Sequence, residues 1–181
     1  MPWYIDMKKN IAYKTALYGI MCALALALGF LESLLPPMPW LPPGAKPGFS
    51  NIITMFAAGS IGLHSALLTA LAKGGFAFVT RGVTAGVMSL SGGLVSAVAM
   101  YLLMRCASKY LGLIGISIIC ALTHNLGQLC AAAFITGTAS IAYYAPVMAV
   151  FGIASGAVTG FVLKAVMPAL EKVKKYFFIN I

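Results

Sequence analysis

Thr123-His124-Asn125-Leu126-Gly127-Gln128 is polar in the middle of an apolar run from about Leu111 to Ile135. A bilayer-crossing helix takes about 20 residues at about 1.5 Å each, which would put His124, Asn125 and Gln128 near the membrane centre. Positions three and four apart are neighbours on a helix, so these three side chains are expected on one face. Polar groups in hydrocarbon are costly and turn toward a bundle interior or a watery cavity. Two uses fit. The face can simply hydrogen-bond neighbouring helices, or it can line a ligand site. In the second case the two amides donate and accept hydrogen bonds, and His124 orients a ring or carbonyl.

The charges are the other candidates for chemistry. Lys73 and Arg81 bracket a stretch that is otherwise apolar, and a cation inside a membrane marks function or pairs with a buried acid. Glu32, one of three acids in the chain, closes the first apolar run. It is either solvated at an interface or paired with a cation in a pocket. Lys46 stands in a Pro-rich stretch just before Ser50-Asn51, a good helix start. A stiff loop carrying one lysine above a helix N-terminus suits a lid over an anion, or a mere spacer. Ser91, within Ser89-Leu90-Ser91-Gly92-Gly93, belongs to a small polar patch that permits either close packing or backbone approach to a ligand.

The composition says what must hold these residues. Of 181 residues 61% are hydrophobic and 8% charged, with mean hydropathy +0.98. A soluble domain carries about 25% charged residues. An all-α integral membrane protein is expected, a bundle of about six transmembrane helices. Its parts are a lead over 1–14, a transmembrane domain over 15–168 with a Pro-rich extracytoplasmic loop at 36–50, and a basic tail over 169–181. Net charge +9 does not signal nucleic acid. The lysines and arginines cluster at Lys8 to Lys14, at Arg105 and Lys109, and at Lys164 to Lys175, alternate sides of a six-span chain. By the positive-inside rule both termini are cytoplasmic.

Span one is expected over Thr15 to Leu35, too long for the apolar core of a signal peptide. Gly19, Ala23 and Ala27 make a small-residue stripe on it, suited to packing inside the bundle or to docking a separate membrane subunit. The next region parses two ways. Either span two is short, Asn51 to Gly62, with a turn at Gly62-Leu63-His64-Ser65 and Lys73 inside span three, or span two runs on to Lys73-Gly74-Gly75. The first is preferred because it leaves a full span four, Val83 to Met104. Span six follows from Ile141 to about Met167, where Gly152, Gly156 and Gly160 form a helix-packing face. Cys22, Cys106, Cys120 and Cys130 form no C-x-x-C pair, and no metal site is expected.

Four motifs occur in order: Phe30-Leu31-Glu32-Ser33-Leu34, Lys46-x-Gly48-x-x-Asn51 after the prolines, Leu90-Ser91-Gly92-Gly93, and His124-Asn125-Leu126-Gly127-Gln128. With them the chain, over roughly residues 12–168, resembles the Gx transporter family, also labelled heptaprenyl diphosphate synthase component I. That family is similar in layout to the substrate-binding S-components of energy-coupling factor (ECF) transporters. The resemblance implies capture of a vitamin-like or isoprenoid- or quinone-precursor-like molecule under the first outer loop. It also implies docking of Ala23-x-x-x-Ala27 on a coupling subunit driven by two ATPases. Lys73 departs from the arginine expected there, which keeps the charge and loses a bidentate grip.

Three functions are therefore weighed. The first is a non-enzymatic membrane receptor for a small, anionic or carbonyl-rich ligand. Its site residues are Glu32, Lys46, Asn51, Lys73, Arg81, Ser91, His124, Asn125 and Gln128. It needs no cofactor of its own, because the chain has no G-x-x-x-x-G-K-[ST] loop and any ATP use belongs to a partner. The second is a non-catalytic subunit of a prenyl diphosphate synthase serving menaquinone synthesis. The clustered aspartates of the catalytic chemistry are missing, since Asp6, Glu32 and Glu171 stand far apart. The third is a part of a quinone- or flavin-linked electron-transfer assembly, with Cys22, Cys120, Cys130 and His124 as potential ligands in a spacing that fits no metal motif.

Overall fold

The structure, a computed structural model, describes the backbone of residues 11–34 and 50–179 and the side chains of 15–34 and 50–168. Within them the chain is all-α. Helix α1 is Ile11–Ser33, α2 Asn51–Phe56 continuing as a π-helical turn Ala57–Ile61, and α3 Leu63–Arg81. Helix α4 is Val83–Cys106, α5 Ser108–Thr136 with a bend at Gly112, and α6 Ala145–Ile179 after a 3-10 turn Ala139–Tyr144. Five of these are long and apolar enough to cross a membrane, so the chain is a multi-pass membrane protein; α2 with its π turn, Asn51–Ile61, is shorter. At 1.5 Å per residue it spans about 16 Å, roughly half of the hydrocarbon layer.

The breaks on either side of α3 are written by glycine. Gly62 (φ 130°) separates α2 from α3, and Gly82 (φ 88°) separates α3 from α4. Side chains with a Cβ avoid that backbone region, so each glycine reverses the chain in one residue. The shorter of the two sequence parses is the one seen: α3 runs unbroken through Lys73, Gly74 and Gly75. Its turn is a single glycine, and His64 lies exposed in the first turn of α3. The last membrane span, Ala139–Pro168, contains the expected Ile141 to Met167 and opens with a 3-10 turn before α6 starts at Ala145; α6 continues helically past Pro168 to Ile179, so much of the expected tail prolongs the helix.

Helices α3, α4, α5 and α6 pack in chain order, and α2 closes the ring between α3 and α6. The interior is methionine-rich, with Met55, Met100, Met104 and Met167 around Ala97 and Ile116. Unbranched thioether side chains fill the irregular space beside the short α2. Gly152, Gly156 and Gly160 lie against α5: a Cβ at Gly156 would stand 2.6 Å from the Cα of Ile118, and one at Gly160 2.7 Å from that of Ile114. Helix α1 is peripheral, on α3 and α2, and buries Met21, Ala25 and Glu32. Its stripe of Gly19, Ala23 and Ala27 is exposed, and a Cβ on Gly19 would meet nothing within 4 Å. The stripe takes no part in packing among the described residues.

Candidate functional site

Lys73 on α3 and Gln128 on α5 each lie eight residues before the end of their helices, about 12 Å at helical rise. Because α2 is short, it starts at this level rather than at the membrane surface. Lys73 Nζ accordingly donates to Asn51 Oδ1 at 2.5 Å, and the hydroxyl of Ser50, one residue earlier, donates to Glu32 Oε2 at 3.3 Å. Ser50 holds the N-cap position of α2, yet its side chain makes no cap bond. The expected capping role is corrected: the hydroxyl is spent on the carboxylate of α1, tying the first two helices together.

Above this level α1, α3, α4 and α5 enclose a narrow cleft whose empty space, with its open mouth, is about 420 Å³. Glu32, Ser50, Lys73, Arg81, Ser89, His124 and Gln128 supply its polar wall, and Ala25, Leu26, Gly29 and Phe76 its apolar one. Glu32, Lys73, His124 and Gln128 are 4 to 8% exposed. The sequence left open whether Lys73 or Arg81 was the intramembrane charge; both line this cleft. Two buried polar atoms on its residues have no hydrogen-bond partner, Arg81 Nη1 and Gln128 Oε1. Such groups are rare in folded proteins because each forfeits the full cost of losing water.

The polar motif of α5 does not act as one face, which corrects the sequence expectation. Gln128 Nε2 lies 3.0 Å from His124 Nε2, and His124 Nδ1 lies 3.5 Å from Ser96 Oγ on α4. Asn125 turns the other way and donates to the backbone carbonyl of Met148 on α6 at 2.6 Å. Gly152 makes room for it, since a Cβ there would come 2.8 Å from the amide nitrogen. Asn125 thus pins α5 to α6 and is outside the cleft lining. Ser91 is likewise corrected: its hydroxyl has one proton to share between the carbonyls of Gly127 (3.0 Å) and Met88 (3.1 Å), and the Gly127 contact joins α4 to α5. Asn51 lines a second cleft, whose empty space with its open mouth is about 310 Å³, together with Thr54, Ser96, Ser117, Ser155 and Thr159. Lys46 lies outside the described residues.

Sequence reasoning missed three participants. Ser50 was read only as part of a helix start and Phe76 carries no local signal; the meeting of α1, α2 and α3 places both in the cleft. Gly127 was read only as part of a polar motif. It is the contact that sets the spacing of α4 and α5, since a Cβ there would stand 2.9 Å from the Cα of Gly92. The cysteines are dispersed, with Cys120 buried beside Met100 and Cys130 exposed, and all four are free. Among the described residues no three His, Cys, Asp or Glu gather to hold a metal.

Gly29 offers a test of the cleft itself. A Cβ there would meet nothing within 4 Å, although the residue lines the cleft. Gly29→Leu is expected to fill the cleft at no packing cost. The thermal midpoint should stay within about 3 °C, since no named destabilising mechanism is engaged, while capture of any cleft ligand should fail. A midpoint loss on the order of 10 °C would show that α1 packs more tightly than this.

No curated protein and no solved structure matches the chain. A family model described as heptaprenyl diphosphate synthase component I matches residues 21–166, well over half of the sequence and every residue named as lining the cleft. The matched span carries all eight of the sequence-chosen cleft and contact residues that the structure describes, from Glu32 to Gln128. The chain belongs to the heptaprenyl diphosphate synthase component I family.

Proposed function

We propose that this chain is a membrane-embedded receptor that takes a small anionic or carbonyl-rich molecule into the cleft and passes it on, without catalysing a reaction. One observation carries the reading: Lys73 and Arg81 converge on a cleft in which Glu32 is the acid among the described lining residues. Two cations against one carboxylate leave a positive wall in a low-dielectric setting, where an anion is attracted more strongly than in water. His124 and Gln128 add uncharged hydrogen-bonding capacity beside that charge, and Phe76 and Gly29 leave a flat apolar flank. The chain binds the solute; energy for uptake comes from elsewhere. In this reading the exposed Gly19, Ala23 and Ala27 stripe docks a coupling subunit that works with two ATPases.

The family description favours a second reading, in which the chain is a membrane subunit beside a soluble prenyl diphosphate synthase component. Prenyl transfer requires clustered carboxylates to hold magnesium and diphosphate. Asp6, Glu32 and Glu171 are dispersed along the sequence, so the partner would carry the chemistry.

Purification in mild detergent from the native host, with mass spectrometry of all that is retained, separates the two. A small anion bound to the wild type and absent from Gly29→Leu, together with a membrane coupling protein and paired ATPases, is the expected result. Recovery of a soluble prenyl synthase with no small solute would sink the receptor reading in favour of the second.

A further inference from the structure

The hydrogen-bond relay behind the cleft bears on which end of the Gln128 amide is left without a partner. Ser96 has one hydroxyl proton, and of its two neighbours the carbonyl of Gly93 at 3.1 Å is nearer than His124 Nδ1 at 3.5 Å, so the proton is assigned to the carbonyl. Toward His124 Nδ1 the Ser96 oxygen is therefore an acceptor, so Nδ1 carries the ring proton. In a neutral imidazole the other nitrogen is then an acceptor. His124 Nε2 must receive a proton, and the group 3.0 Å away is the Gln128 amide. Only its NH2 end can donate. The amide oxygen is left over, and it is the atom that has no partner.

We infer that the cleft selects an anion that also carries an N–H or O–H donor, the donor being read by Gln128 Oε1 and the anionic end by Arg81 and Lys73. This rests on the receptor reading above and narrows it. Gln128 is 4% exposed and lines the cleft, so its oxygen gains a partner only from a group that enters the cleft. Arg81 Nη1 is the complementary orphan, a donor that asks for an acceptor. A ligand with only ionised oxygens, such as a diphosphate, would satisfy Arg81 and leave Gln128 Oε1 facing negative charge. A ligand with both groups satisfies both orphans. A carboxylate bearing a hydroxyl, or an acidic heterocycle with a ring N–H, belongs to this class; a prenyl diphosphate does not.

The relay and the ligand class are tested separately on the full chain in lipid nanodiscs. The protein has two histidines, so a His64→Gln background leaves His124 as the single imidazole signal. Nitrogen-15 NMR should show the proton on Nδ1; a proton on Nε2 would turn the Gln128 amide around and overturn the inference. Binding is then compared for benzoate, 3- and 4-hydroxybenzoate, and inorganic diphosphate. A hydroxybenzoate is expected to bind about tenfold better than benzoate, the usual worth of one buried hydrogen bond. That preference should vanish in Gln128→Met, and Arg81→Met should lose both carboxylates. Equal binding of benzoate and hydroxybenzoate, or better binding of diphosphate, would overturn the donor requirement while leaving an anion receptor. If none of the four binds, the receptor reading falls and this inference with it.

Discussion

Gly92→Leu is expected to lower the thermal midpoint on the order of 10 °C and to abolish ligand capture together. A Cβ at Gly92 would stand 2.7 Å from the carbonyl oxygen of His124 and 2.9 Å from Gln128 Cγ. The first is backbone and cannot step aside, so α4 and α5 must separate. Forcing side chains into a packed contact costs about 1–3 kcal/mol, and more where only backbone can yield. For a chain of this length each kcal/mol moves the midpoint by about 2–4 °C. The same separation would break Ser91 to Gly127 and Ser96 to His124, the bonds that hold the cleft wall. Two neighbouring glycines on α3 grade the effect. At Gly74 a Cβ would meet the Leu90 side chain at 2.2 Å, which can partly move, and at Gly75 it would meet nothing within 4 Å. Melting curves should therefore rank Gly92→Leu below Gly74→Leu, with Gly75→Leu at wild type. A Gly92→Leu protein that melts and binds normally would mean that α4 and α5 do not approach this closely.

The helices were legible because two local signals agree, hydropathy for the spans and glycine for the breaks. Gly62 is the clearest case. Its positive φ ends α2 after eleven residues, and the short span was anticipated from the space left for α4. What a short α2 does was not legible. It lowers Asn51 to the depth of Lys73 and brings Ser50 to Glu32, contacts between residues 22 and 18 positions apart that no periodicity encodes.

The polar motif of α5 was legible as a buried polar face and misread in its orientation. Successive residues on a helix are about 100° apart, so His124 and Asn125 can share a broad face or address two neighbours. Helix α5 stands between α4 and α6, and the ring gives each residue a different partner: Ser96 for His124, Met148 for Asn125. Ser91 and Gly127 show a similar ambiguity. Small polar residues at mid-membrane suit a ligand or a close helix crossing, and only the facing helix decides. Asn125→Ala is accordingly expected to weaken the α5–α6 contact by about 1–2 kcal/mol, the cost of losing one buried hydrogen bond, without removing a cleft contact.

Lys73→Met is expected to reduce affinity for the anion by about 30- to 5000-fold while leaving the fold as stable as the wild type or more so. Removing one partner of a buried, hydrogen-bonded charge contact costs about 2–5 kcal/mol of binding. Folding responds differently, because the lysine is 8% exposed and bringing an ammonium into that setting is itself unfavourable. Methionine removes the charge and keeps most of the volume, and what is lost is the bond to Asn51 Oδ1 and the attraction to Glu32, against which the relieved burial of the ammonium is set. Asn51→Leu takes away the same bond from the other side. It leaves an ammonium in the membrane interior without the carbonyl it now touches, so that variant should be the less stable of the two. The double variant separates the roles. With both ends apolar, stability should return toward wild type, whereas binding should stay as poor as in Lys73→Met alone. Thermal unfolding and equilibrium binding on the four proteins of this cycle measure both quantities. Binding that survives in Lys73→Met would assign the anion to Arg81 alone. Binding recovered in the double variant would make the Lys73 to Asn51 contact a structural brace.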